Sequence, residues 1–154
     1  MLERTVYMRG FEIADGYKNT EVKLPARSTT SSAGYDFSLC RSLSVPPGEI
    51  RLAETGIKAY MKQDEVLKIY PRSSLPKAFT LTIPNGVGII DADYYENPDN
   101  DGAIFIQLYN FGTETVTLEA GTRIAQGIFE RYLTIDADVA QGRRNGGFGS
   151  TGMR

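Results

Sequence analysis

The stretch 103-AIFIQLYN-110, a Phe111-Gly112-Thr113 turn and then 114-ETVTL-118 decide the fold class. Side chains here alternate with a period near two, and the residue types are those that suit a pleated, half-buried surface. Working outward, the same signature returns in 49-EIRL-52, 65-EVLKIY-70 and 79-FTLTI-83, with one more strand predicted near Thr5–Ile13. Turn chemistry separates these runs at Pro46-Pro47-Gly48, Pro84-Asn85-Gly86, Asn97-Pro98-Asp99-Asn100 and Ala120-Gly121. Short strands punctuated this way predict an all-β sandwich or barrel closed in a Greek-key or jelly-roll manner. The longest helix-compatible run, 53-AETGIKAYMKQDE-65, is weakened by Gly56 and scattered polar residues. No internal repeat is visible.

The chain has 154 residues, enough for one domain, with 41% hydrophobic and 23% charged residues. Its formal net charge is −2, which argues against a surface that coats nucleic acid. There is no run of about 18 apolar residues to span a membrane, and 1-MLERTVYMRG-10 lacks the apolar segment of a signal peptide, so the expected location is the cytoplasm. Cys40 is the only cysteine, which rules out an intrachain disulfide; with no histidine to activate it, a small buried apolar role is expected. The absence of histidine also removes Ser-His-Asp and Cys-His catalysis and the common zinc sites. Acid–base work falls to carboxylates, Lys or Tyr, and any metal is a hard one held through oxygen.

Four segments carry chemistry. In 71-PRSSL-75 an arginine and two hydroxyls suit phosphate oxygens, although alone they also read as a polar turn. In 84-PNGVGIIDADYY-95 glycines open a hairpin that a flat ligand can approach, and Asp91 follows as a carboxylate able to serve as general base; capping aspartates are the plain alternative. In 122-TRIAQGIFE-130 Arg123 and Gln126 interrupt an apolar strand. In 146-GGFGSTG-152 successive glycines, Ser150 and Thr151 can form an anion nest, with Phe148 as a stacking group. Composition alone would make that Gly-rich tail, 141–154, a flexible end. Together the four describe a nucleotide triphosphate hydrolase that works without histidine.

At these residues the chain resembles the trimeric, all-β dUTPases over nearly its whole length. The family's five motifs are matched in order by 33-AGYDF-37, 71-PRSSL-75, 85-NGVGIIDADYY-95, 122-TRIAQGIFE-130 and 143-RRNGGFGSTG-152. The resemblance implies a jelly-roll-like distorted β-barrel over 1–140 and a C-terminal arm, 141–154, that closes a neighbouring active site of a homotrimer. It implies hydrolysis of dUTP to dUMP and pyrophosphate with Mg2+, which limits uracil in DNA and supplies dUMP for dTMP synthesis. By match, Asp91 would activate the attacking water and Gln126 would position it. Asp36 would hold the magnesium through a water. Arg72, Ser73, Ser74, Arg143, Gly149, Ser150 and Thr151 would meet the phosphates, with Arg123 on the phosphate side or at an interface. Asn85, Gly88 and Ile89 would read uracil, Tyr94 would pack on the deoxyribose, and Phe148 would stack over the base.

Three departures stand out. Arg144 replaces the family's usual glycine, 95-YENPDND-101 lengthens the loop after Tyr94, and Ser74 stands where many members have glycine. These features look most like enzymes of Gram-positive bacteria and their phages. Two other readings share the fold: a dCTP deaminase, for which Glu96 is the nearest catalytic carboxylate, and a phage-type protein that also binds a repressor-type partner.

Overall fold

The structure, a computed structural model, describes residues 7–144. Eleven strands dominate the described residues, with one six-residue α-helix and two 3-10 turns. The strands are β1 (Gly10–Ile13), β2 (Tyr35–Ser38), β3 (Leu43–Val45), β4 (Ile50–Glu54), β5 (Ile57–Tyr60), β6 (Glu65–Pro71), β7 (Leu81–Thr82), β8 (Gly88–Asp91), β9 (Phe105–Asn110), β10 (Val116–Leu118) and β11 (Arg123–Arg131). They form a four-stranded sheet in the order β2-β11-β6-β8, a three-stranded sheet β4-β9-β7, and two pairs, β1-β5 and β10-β3. Every pairing is antiparallel. The fold is jelly-roll-like, and its sheets face one another without closing into one hydrogen-bonded barrel.

The core lies between the four- and three-stranded sheets. Phe37, Leu67, Ile69, Ile90 and Ile124 come from the first, and Ile106 and Leu108 from the second. The period-two pattern of 103–118 explains β9: Ile106, Leu108 and Asn110 point inward, while Phe105, Gln107 and Tyr109 point out. Asn110 is fully buried and fully used. Its Nδ2 donates to the carbonyls of Val45 (2.8 Å) and Glu114 (2.7 Å), and its Oδ1 accepts from the Gly112 amide (2.9 Å). That amide side chain therefore fixes the 111–113 turn from inside. Cys40 is buried as expected, and burial pushes its thiol pKa up.

Three expectations change. The run 53–65 is no helix: β4 ends in it, β5 fills its middle, and a turn closes on Glu65, whose amide donates to the Lys62 carbonyl. The 79–83 strand shrinks to Leu81–Thr82, because Ser74–Phe79 winds into the helix, α1. Pro76 is tolerated there since first-turn amides have no intrahelical partner, and Thr80 stops the helix at φ 53°. Finally, 84–95 is not a hairpin. The Asn85-Gly86 turn joins β7 to β8, which pair in different sheets.

Candidate active site

The outward face of the four-stranded sheet collects the site residues. Antiparallel partners share a face, so the register puts Asp36, Gln126 and Tyr70 in one row across β2, β11 and β6. Ile128, Lys68 and Ile89 form the next row, and Glu130, Val66 and Asp91 the one after. Leu67, Ile69 and Ile90 face the core between them.

One end of this face is basic. Asp36 Oδ1 lies 3.2 Å from Arg72 Nε, and its Oδ2 lies 3.2 Å from Arg123 Nη1 and accepts the Ser28 hydroxyl at 2.9 Å. Two arginines around one carboxylate leave a local excess of positive charge, suited to phosphate. Arg123 reaches this side through a bulge. It pairs with Ser38 and Ala125 pairs with Phe37, so Ile124 is an extra residue. In a regular strand Arg123 and Gln126, three apart, would point to opposite faces; with the bulge they share one. The sequence carries the signal as two consecutive buried residues, Ile124 and Ala125, within an alternating strand. Gln126 Nε2 donates to the Pro71 carbonyl at 3.4 Å, which ties it to the segment bearing Arg72. Ser73 and Ser74 are exposed at the start of α1.

The other end is acidic. Asp91 closes β8, Asp93 sits in the 3-10 turn Ala92–Tyr94, and Arg144 bridges the two. Tyr94 is buried. Its hydroxyl donates to the Ala103 carbonyl at 2.7 Å and accepts from Asn100 Nδ2 at 2.8 Å, and burial pushes its pKa up. What this residue offers a ligand is therefore a rigid ring. At the β8 edge of the sheet, Ile69, Ile83, Asn85, Gly88, Ile89 and Phe105 help line a cavity of about 100 Å³. Glycine at 88 eases a close approach, since a Cβ there would come within 3.2 Å of the Ile69 side chain.

The lengthened loop after Tyr94 is anchored, which its acidic composition did not announce. Lys58, buried on β5, donates to Asp101 Oδ2 at 2.8 Å and lies 5.0 Å from the Tyr95 ring centroid. Burial alone would lower the Lys58 pKa; the hydrogen bond and charge of Asp101 outweigh it and hold it above its ordinary value. Burial likewise pushes Asp101 upward, yet Lys58 and the Asp15 amide hold it below. The loop turns back through Gly102 at φ 80°, where a Cβ would strike the Tyr94 carbonyl. Glu96 is mostly exposed, 4.0 Å from Lys58.

Arg143 is exposed, and Phe148, Gly149, Ser150 and Thr151 lie outside the described residues. Among the described residues no group of three or more His, Cys, Asp or Glu could hold a metal, and no helix is long and apolar enough to cross a membrane.

Fold and face together define an all-β protein with an anion-binding arginine pair, a sheltered apolar slot and separate carboxylates. Comparisons with known proteins narrow that class. The family model described as dUTPase matches residues 20–152. A deoxyuridine 5'-triphosphate nucleotidohydrolase of Lactococcus lactis is 50% identical over 147 residues, 94% of this chain and 98% of the relative. A second, from Acinetobacter baylyi, is 34% identical over 93% of this chain and 97% of its own length. The crystal structure of dUTPase from Streptococcus mutans aligns with a TM-score of 0.78 at 45% identity, covering 83% of this chain and 99% of that one. A dUTPase mutant from phage phi11 of S. aureus, whose structure details a structural Mg(II) ion, shares the fold with a TM-score of 0.70 at 17% identity, over 88% of this chain and 98% of that one. The chain belongs to the dUTPase family.

Proposed function

We propose that the protein is a dUTP diphosphatase, hydrolysing dUTP to dUMP and pyrophosphate, with each site assembled between copies of the chain. The activity follows from membership of the family and from relatives named for it. The observation that carries the assembly is the separation of the two ends. Gln126 is level with Tyr70 and Asp91 with Val66, so they stand about 13 Å apart along the strands and two strands apart across them. One attacking water cannot touch both within a single chain. A second copy that brings its acidic end to the first copy's basic end completes the site. The outward face of the three-stranded sheet, with Ile50 and Leu52 each half exposed beside Tyr109 and Phe105, supplies apolar surface for association. A homotrimer, the assembly implied by the resemblance, suits this arrangement.

In this reading Asp91 accepts a proton from the water that attacks the α-phosphorus in line, and Gln126 from another copy orients it. Arg72 and Arg123 hold the phosphates, where fixed positive charge is worth most as negative charge builds up. Asn85 and the Gly88–Ile89 backbone read the uracil edge, which can reject cytosine strongly because the wrong base leaves buried groups unpaired. Tyr94 presents a wall that a 2′-hydroxyl would strike. Asp36 accepts two hydrogen bonds, both on Oδ2, and Oδ1 is ion-paired with Arg72 at 3.2 Å, so Oδ1 keeps acceptor capacity. That fits a magnesium ion held through water; when bound, such an ion neutralises phosphate oxygens.

The test is complementation. D91N is expected to be nearly inactive at any dUTP concentration, and R72A nearly so at dUTP near the wild-type KM, where the assay is run. Co-refolded in equal amounts, they should regain activity at about a quarter of sites, where an intact base meets an intact grip. No recovery would mean that one chain builds the whole site. Assaying dTTP, dCTP and UTP alongside should show turnover of dUTP only; dUTP or dUMP formed from dCTP would favour the deaminase.

A further inference from the structure

Arg144 occupies the carboxylate that the mechanism needs free. Its Nη2 donates to Asp91 Oδ2 and its Nε to Asp93 Oδ1 at 2.8 Å. The arginine side chain is 17% exposed, against 49% for Asp91 and 59% for Asp93, so the guanidinium is the group seated in the site. Asp93's hydrogen bond, the largest influence, raises the Arg144 pKa against the opposing effect of burial. The chain is led there by a second contact. After β11, the Tyr132 amide donates to the Asp64 carbonyl and its hydroxyl to the Gln63 carbonyl at 2.6 Å. This directs the tail along the acidic end, and Gln63, Tyr132, Asp91 and Arg144 line one cleft.

We propose that Arg144 is a latch: in the substrate-free protein it masks Asp91, and a polyphosphate must draw it away before the base can act. The proposal rests on the reading of Asp91 as base. An oxygen that already accepts a charge-assisted hydrogen bond from a cation is a poor proton acceptor. A triphosphate competes well for the guanidinium, because the planar fork of arginine matches phosphate oxygens. Ala140, Gly142 and Arg144, which lead toward the segment expected to close over a ligand in another copy, lie in this state against their own chain. Leaving that state is then coupled to substrate binding, so Asp91 Oδ2 is released to accept a proton when the nucleotide is present.

A latch opened by binding adds to KM and leaves kcat alone, because only the open fraction of the protein binds productively. Since the two ion pairs are partly exposed, R144G should lower KM for dUTP about three- to tenfold, with kcat within about twofold of wild type. D93N removes one of the two anchors without touching the base or the arginine, and should lower KM by a smaller factor. It also serves if R144G folds poorly. A readout independent of turnover is carbodiimide-driven coupling of glycine ethyl ester to Asp91 in the substrate-free protein, followed by peptide mass spectrometry. Coupling should be several-fold faster in R144G than in wild type, with R144K close to wild type. A raised KM, a collapse of kcat or unchanged coupling at Asp91 would overturn the latch. D91N separates the two layers: if it hydrolysed dUTP normally, the base assignment and with it the latch's purpose would fail, while faster coupling in R144G would still report the contact.

Discussion

The two ends of the four-stranded sheet solve opposite electrostatic problems with the same parts. At the basic end one carboxylate, Asp36, is shared by Arg72 and Arg123. At the acidic end one arginine, Arg144, is shared by Asp91 and Asp93. The basic cluster is built into strands and the start of a helix, so its positive charge is always on display. The acidic cluster is completed by a residue from the tail, so its state depends on where the tail lies. The grip is therefore permanent and the base conditional. This division suits chemistry in which a highly charged substrate is captured first and attacked second.

The largest effect should come from the acidic end. D91N is expected to reduce kcat about 10²- to 10⁴-fold in a pyrophosphate-release assay, with the oligomer intact by gel filtration. Near-normal turnover would make the basic end the catalytic one. Truncation before Arg143 removes the latch together with Phe148, Ser150 and Thr151; loss of the closing arm should dominate, with roughly 100-fold lower turnover from a folded trimer. At the basic end, R72A should raise KM about 10- to 100-fold with a smaller change in kcat, as expected for a lost charged hydrogen bond to phosphate. D36N should act more gently, raising the magnesium needed for half-maximal rate a few-fold and leaving the base untouched.

The smallest effect on activity should come from the loop behind the acidic end. K58M unpairs Asp101 and should lower stability by about 1–3 kcal/mol, read as a fall in melting temperature. The Asp101 pKa is depressed, so its share of the stability is present above the ordinary carboxylate value and is lost as pH falls through the folded one. The Lys58 pKa is raised, so its share is present below the ordinary amine value and is lost as pH rises through the folded one. The gap in melting temperature between wild type and K58M should thus be widest between about pH 4 and pH 10 and narrow below pH 4. A gap constant down to pH 2 would mean that the pair contributes nothing.

The sequence made the strands around 65–70 and 103–118 legible because each alternates cleanly and covers one shared core. The helix Ser74–Phe79 was hidden: six residues cannot show a 3.6-residue period, and Pro76 reads as a breaker. The sheet change at Asn85-Gly86 was hidden too, since a turn signal does not say which strands pair afterwards. In the site, residue types pointed to Arg72, Gln126 and Asp91, while partnerships did not show. Nothing local links Asp36 to Arg123, 87 positions away, or Arg144 to Asp91, 53 positions away. Such pairs exist only after the sheet register is set.

The bulge at Ile124 makes the active face a matter of odd and even. Point substitutions anywhere in β11 leave the count of residues between Arg123 and Gln126 untouched, and so leave the sidedness of both. Inserting one residue there, with the bulge kept, would turn Arg123 toward the core with every original side chain still present. For this strand the chemistry is stored less in the letters than in their number, and a mutational scan made only of replacements would not find it.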